Sequence, residues 1–182
     1  MKKYLIAGFG GQGVLFIGRI LAQAGLEEDK QVTWLPSYGP EMRGGTANCS
    51  VIIAAKKIGS PIVSRPDIAV MMNTPSYKKF LPHVVPGGFM FLNSSIIPDT
   101  AALPSRADIR ILRVPINEMA HEMGKDSVAN IIMLGVIQAV TPVVSDAAIQ
   151  AALAGISTKN HELKELNEKA LNIGYQYGVS LG

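Results

Sequence analysis

Three observations predict a single doubly wound α/β domain on a mostly parallel sheet, with a helical C-terminal part. Short apolar runs rich in β-formers alternate with segments of helical spacing. A glycine-rich turn joins the first apolar run to the first helical segment. Beyond Pro115 the strand signals stop and only helical patterns remain. With 182 residues, the chain 1–182 reads as one domain.

Residues 4–7 form a short apolar run before glycines, the signature of a buried strand. Residues 14–26 carry Val14, Ile17, Leu21, Ala24 and Gly25 at helical spacing. Residues 31–35 read as a second strand that stops at Pro36, completing a right-handed β-α-β unit. Further strands are predicted over 48–54, 68–72, 89–92 and 109–114. A helix over 75–81 places Pro75 in its first turn, where a missing N–H costs little. Helices follow over 117–123 and up to Val140, the latter with Asp126 or Ser127 as cap. That helix is apolar on nearly all sides and should be buried. Ser145 or Asp146 can cap a helix over 147–153. A last helix over 161–173 has Glu165–Lys169 and Lys164–Glu168 at i,i+4 spacing, a solvated face.

Composition narrows the function classes. Hydrophobic residues make up 48% and charged residues 17%, against about 25% charged in ordinary domains. Disorder is excluded, and a large face covered by another chain is expected. The single cysteine, Cys49, cannot make an internal disulfide, a four-cysteine zinc site or an iron–sulfur cluster. The net charge of +3 is spread over pairs such as Lys2-Lys3, Lys56-Lys57 and Lys78-Lys79, with 6% aromatics, so no nucleic-acid partner is expected. Glycines, Gln12 and Arg19 interrupt the N-terminal apolar stretch, unlike a secretory signal. The run 128–140 is of core-helix length and carries Gln138, so no membrane partner is expected and the compartment reads as cytoplasmic.

Two loops carry the chemistry. Gly8-Phe9-Gly10-Gly11-Gln12-Gly13 fits G-x-G-x-x-G between a strand and a helix. Such glycines let backbone approach a ligand while the helix N-terminus offers N–H groups to an anion. They also serve a plain tight junction, and both readings stay open. A dinucleotide enzyme would add an acid after the second strand for the ribose, but Leu35-Pro36-Ser37 has none. The second loop is Ser37, Tyr38, Gly39, Pro40, Glu41, Met42, Arg43, Gly44 and Gly45, beyond the carboxyl end of the second strand. Open α/β sheets bind ligands at that edge, and the Arg43 fork suits a carboxylate or phosphate. An internal Glu41–Arg43 ion pair on a solvated turn is the plainer alternative.

Together these loops resemble the gamma subunit of 2-oxoacid:ferredoxin oxidoreductases, the pyruvate, 2-oxoglutarate and 2-oxoisovalerate enzymes. The indolepyruvate enzyme has a similar module. The resemblance continues through Ile58-Gly59-Ser60-Pro61, Arg65-Pro66-Asp67, residues 130–135 and residues 167–174 with the closing Gly174-Tyr175. It implies a Rossmann-like module in a complex that decarboxylates a 2-oxoacid on thiamine diphosphate. Electrons pass through iron–sulfur clusters to ferredoxin, and the acyl group passes to coenzyme A. The thiamine diphosphate and clusters are then expected on partner alpha, beta and delta (ferredoxin-like) subunits. This chain would carry no catalytic residue and no metal, would be inactive alone, and would help form the coenzyme A site and the subunit interface. Gly8, Gly10, Gly11, Gln12 and Gly13 are then the anion or coenzyme A candidates, and the 37–45 loop is the interface or ligand loop. Self-association of an isolated chain is compatible with a sticky docking face. A free-standing nucleotide-dependent reductase and a ligand-free assembly module are the alternatives.

The remaining residues read more plainly. Cys49, Trp34 and the methionines Met71, Met72, Met119 and Met123 are expected in the core, with Trp34 otherwise at an interface. His83, His121 and His161 lack metal-ligand spacing. Lys78-Lys79 and the group Arg106, Arg110 and Arg113 read as a solvated face, with steering of an acidic partner such as ferredoxin as the alternative.

Overall fold

A computed structural model describes residues 1–38, 46–100, 102–156 and 161–181. Strand β1 (Lys2–Phe9) turns through the glycine loop into α1 (Val14–Glu27), which leads to β2 (Gln31–Tyr38). The expected β-α-β unit is present, but its two strands are not neighbours. β3 (Thr46–Ala54) runs antiparallel to both and lies between them, pairing Lys2↔Ile53 on one side and Gln31↔Ala54 on the other. β2 therefore sits two strand spacings from β1, about 10 Å. Burial explains the order. β3 is buried from Cys49 to Ala54, whereas β2 leaves Trp34 40% and Leu35 42% exposed, so the more apolar strand takes the interior place. β2 also runs through Pro36 to Tyr38, where the sequence reading ended it at Leu35. As the sheet's edge it needs partners on one side only, and an edge tolerates proline.

On the other flank of β1 come β4 (Ile68–Met71), β5 (Phe89–Asn93) and β6 (Arg110–Val114), all parallel to it. The sheet order is β2-β3-β1-β4-β5-β6, and β3 alone runs against the rest. The helices are α2 (Thr74–Phe80), α3 (Ile116–Glu122), α4 (Ala129–Val140), α5 (Asp146–Ile156) and α6 (His161–Ser180). Asn73 caps α2, its Oδ1 accepting the Ser76 N–H at 2.9 Å, and Pro75 sits in the first turn as expected. Ser145 caps α5 through the Ala148 N–H at 3.2 Å. α4 departs from expectation: neither Asp126 nor Ser127 caps it. Those residues form a 3₁₀ turn (Asp126–Val128), and Val128 stands at the N-cap without a side-chain bond. Among the described residues, no helix is long and apolar enough to cross a membrane.

Alternation along the strands splits the core. Tyr4, Ile6, Val70, Phe91, Leu112 and Val114 face α1, α3, α4, α5 and α6. Ala7, Ala69, Met71, Met90 and Leu92 face α2 and the segments holding Leu81, Val84, Ile97 and Ile109. Met71 and Met72 are core, as expected. Arg106, Arg110 and Arg113 are not a merely solvated group: they staple carbonyls of Leu81 and Val84, of Leu181, and of Ile97, respectively.

α6 runs to Ser180, past the predicted 161–173, because Gly174 and Gly178 serve contact with α4 rather than helix termination. A Cβ on Gly135 would lie 2.2 Å from the Leu171 carbonyl oxygen, and one on Gly174 would lie 2.0 Å from that of Ile132. The helices thus meet backbone to backbone. At the far end of α1, Glu28 accepts the Ser145 N–H at 2.6 Å and pairs with Lys30 at 2.7 Å, while Lys30 donates to the Val143 carbonyl at 2.6 Å. The hydrogen bonds from Lys30 and Ser145 lower the Glu28 pKa from 4.5 to about 2.

Two outcomes follow. Gly135→Ala must part the two helices and should cost about 1–3 kcal/mol. Gly155→Ala, on exposed helix with nothing within 4 Å of its Cβ, should instead stabilise, by about 0.5–1 kcal/mol. Urea midpoints of the two variants should move in opposite directions. Because Glu28 is depressed on folding, its contribution is complete above about pH 4.5 and is lost as pH falls toward about 2. Stability profiles of wild type and Glu28→Gln should therefore differ at pH 6 and converge at low pH.

Candidate functional site

The glycine loop is tied down by one side chain. Gln12 Oε1 accepts the Phe9 N–H at 2.7 Å, and its Nε2 donates to the Met72 carbonyl at 2.9 Å. This anchors the loop to the end of the neighbouring strand β4. The motif then divides. Gly8 is buried, and a Cβ there would come within 2.9 Å of Gln12, Met72 and Val14. Gly13 has φ 74° and would place a Cβ 2.3 Å from Asn130 Nδ2. Gly11 has φ 96° with nothing within 4 Å of a Cβ, and Gly10 is exposed. So Gly8 and Gly13 are fixed by packing, while Gly10 and Gly11 leave bare backbone open to a ligand.

Gly11, with Gln12 and Gly13, borders a cleft of about 760 Å³ at the carboxyl edge of the sheet. Its floor is amide-rich. Asn93 Nδ2 donates to Asn117 Oδ1 at 3.0 Å, Ser95 Oγ accepts the Asn117 N–H at 3.0 Å, and Ser95 bonds Glu118. Asn130 closes the side next to Gly13. The far rim carries Glu118, Glu122 and Asp126, with His121 Nδ1 3.4 Å from Asp126. Electrostatics in the cleft are therefore uneven. Glu118 and Asp126 occupy first turns, where they offset the positive end of their own helices. α1 enters with no acid in its first turn and no side-chain cap, so its N–H groups remain available. An anion is favoured at Gly11–Gly13, and a neutral hydrogen-bonding group toward the amides.

The second loop starts from the same edge. Tyr38 pairs with Ala47 and Thr46 with Phe9, so the residues flanking 39–45 stand beside the glycine turn. Gly39, Pro40, Glu41, Met42, Arg43, Gly44 and Gly45 lie outside the described residues. The strand beside β1 on that side is β3, which arrives from the opposite direction. A ribose-reading acid at the end of β2 would stand about 10 Å from β1 even if present, which argues against a dinucleotide enzyme. Cys49 lies 3.4 Å from the Val14 carbonyl beneath the loop; burial pushes its thiol up to about 12, partly countered by a hydrogen bond from Trp34. It is a core residue rather than a nucleophile.

The family profile described as "Pyruvate ferredoxin/flavodoxin oxidoreductase" matches residues 3–177. The chain belongs to this family. Ketoisovalerate oxidoreductase subunit VorA of Methanothermobacter thermautotrophicus is 45% identical over 134 residues, 74% of this chain and 27% of VorA. The chain thus spans about a quarter of that relative's length. 2-Oxoglutarate synthase subunit KorC of Methanocaldococcus jannaschii is 33% identical over 99% of this chain and 95% of its own length. The crystal structure of a keto/oxoacid ferredoxin oxidoreductase gamma subunit from Geobacter sulfurreducens superposes with TM-score 0.82 at 28% identity, covering 99% of each chain. A 2-oxoglutarate:ferredoxin oxidoreductase from Magnetococcus marinus, with 2-oxoglutarate, coenzyme A and succinyl-CoA bound, shares the fold at TM-score 0.87 and 20% identity over 32% of its chain.

The structure sets the glycine loop on one cleft with Asn93, Asn117 and Asn130, which the sequence alone did not single out. A signal was present: an asparagine stands at or just beyond the carboxyl end of β4, β5 and β6, as Asn73, Asn93 and Asn117. The Gly13–Asn130 contact can be tested directly. Gly13→Ala should cost about 1–3 kcal/mol in wild type. The cost should be smaller in an Asn130→Ala background, where the contacts to Nδ2 and Cγ are gone while the 2.7 Å contact to the residue 130 Cβ and the positive φ remain. Additive costs in a double-mutant cycle by denaturant unfolding would contradict the contact.

Proposed function

We propose that the chain is the gamma-type subunit of a 2-oxoacid:ferredoxin oxidoreductase, converting a 2-oxoacid to acyl-coenzyme A with reduction of ferredoxin. In this reading the thiamine diphosphate and iron–sulfur clusters sit on partner subunits of alpha, beta and delta type in a cytoplasmic complex. The chain 1–182 acts as one module that walls part of the coenzyme A site and docks on those partners. The observation that carries the ligand reading is the cleft where the uncapped start of α1 meets an amide floor. A phosphate of coenzyme A suits Gly10, Gly11 and the first turn of α1, with Gln12 holding that loop in place. The neutral, amide-bearing arm of coenzyme A suits Asn93, Asn117 and Asn130, away from the carboxylate rim. The 37–45 loop, whose described flanks Tyr38 and Thr46 stand at the same edge, would supply Arg43 as ligand contact or interface anchor. The single cysteine supports placing the redox centres elsewhere. The partners, not this chain, then choose among the oxoacids named for its relatives.

Co-expression with thiamine- and cluster-bearing partner chains tests the reading. The complex should co-purify with this chain and reduce ferredoxin only when both a 2-oxoacid and coenzyme A are supplied. Arg43→Ala should raise the KM for coenzyme A or lower the yield of assembled complex. If both stay at wild-type values, the loop has neither role; if the chain does not co-purify, the subunit assignment fails.

A further inference from the structure

The amino edge of the sheet, opposite the cleft, collects positive charge that nothing in the fold consumes. Lys2 and Lys3 open β1. Because β3 is antiparallel and pairs Ile53 with Lys2, the residues just past its end, Lys56 and Lys57, come to the same edge. Arg65 reaches it too, three residues before β4, whose Ile68 pairs with Tyr4. Three adjacent strands thus gather five cations across about 10 Å. None of these five side chains has an ion-pair partner among the described residues, whereas Lys30, Arg106 and Arg113 all do. The acid between them, Asp67, is engaged in accepting the Lys3 N–H at 2.8 Å. The chain's net charge is +3, so without these five the remainder would carry −2.

A second feature lies in the segment that links Lys57 to Arg65. Ile62 is 70% exposed, in a turn where its N–H donates to Ser60 Oγ at 3.2 Å, between Pro61 and Pro66. We propose that this edge, with Lys2, Lys3, Lys56, Lys57 and Arg65 and with Ile62 in the segment between the last two, is a docking surface for the acidic face of a reversibly bound protein. One exposed apolar side chain on a segment flanked by free cations suits a small, salt-sensitive interface steered by electrostatics, unlike the larger and more apolar faces of permanent subunits. Nucleic acid fits poorly, since residues 55–67 carry no aromatic side chain on which a base could stack. Resting on the function proposed above, the acidic partner is the electron-acceptor protein, the one protein that must come and go at each turnover.

The test uses the assembled complex with Lys56→Glu and Lys57→Glu together, and two acceptors, an acidic ferredoxin and a small viologen dye. The KM for ferredoxin should rise on the order of tenfold with kcat and dye reduction unchanged, and the wild-type KM should rise with salt. Lys56→Gln with Lys57→Gln should give an intermediate KM. An unchanged ferredoxin KM, or a parallel loss of dye reduction, overturns the proposal. If the wild-type complex shows no oxoacid-dependent dye reduction, the function reading fails instead. The edge is then judged by titrating the same ferredoxin, and separately a single-stranded DNA oligomer, onto the complex or, failing assembly, the full chain. Salt-sensitive ferredoxin binding weakened by Lys56→Glu and Lys57→Glu upholds it; no ferredoxin binding, or DNA binding of equal strength, overturns it.

Discussion

Helix α4 is the member on which the rest of the structure leans. Eight consecutive residues, Ile131–Gln138, are buried, so every face of it must be covered. The sheet and α1 cover one side. α6, a largely polar helix, has to cover the other, and it does so by approaching until backbones touch at Gly135 and Gly174. Such a contact has no slack. It fixes α4 along its axis, and five residues back, about 7.5 Å along the helix, the same axis places Asn130 against Gly13. The wall of the cleft is therefore set by a helix crossing well removed from it.

This dependence explains why the fold was more legible in the sequence than the site. Strands such as 68–72 and the buried helix ending at Val140 announce themselves by composition alone, because their signal is local burial. Gly174 and Gly178 gave the opposite impression. Read locally, they end a helix; in the structure they continue it, since their value lies in a partner about forty residues away in sequence. Pro36 misled in the same way, as an edge strand lacks the pairing that would exclude it. The amides of the cleft follow the same logic. Asn93 and Asn117 become a site only once β5 and β6 are set side by side, and no single window of sequence contains that adjacency.

One reversal of direction decides what both ends of the sheet can do. Five strands share a direction, which by itself sends helix N-termini toward the carboxyl edge and leaves the amino edge without a dipole to attract anions. β3 alone runs backward. Its start brings Thr46 beside Phe9 at the glycine loop. Its end delivers Lys56 and Lys57 to Lys2 and Arg65. Had β3 run parallel, those lysines would have left the amino edge for the carboxyl edge, on the glycine-loop side of the sheet. The antiparallel insertion instead sets Lys56 and Lys57 beside Lys2 at the amino edge, opposite the cleft rim that Glu118, Glu122 and Asp126 line.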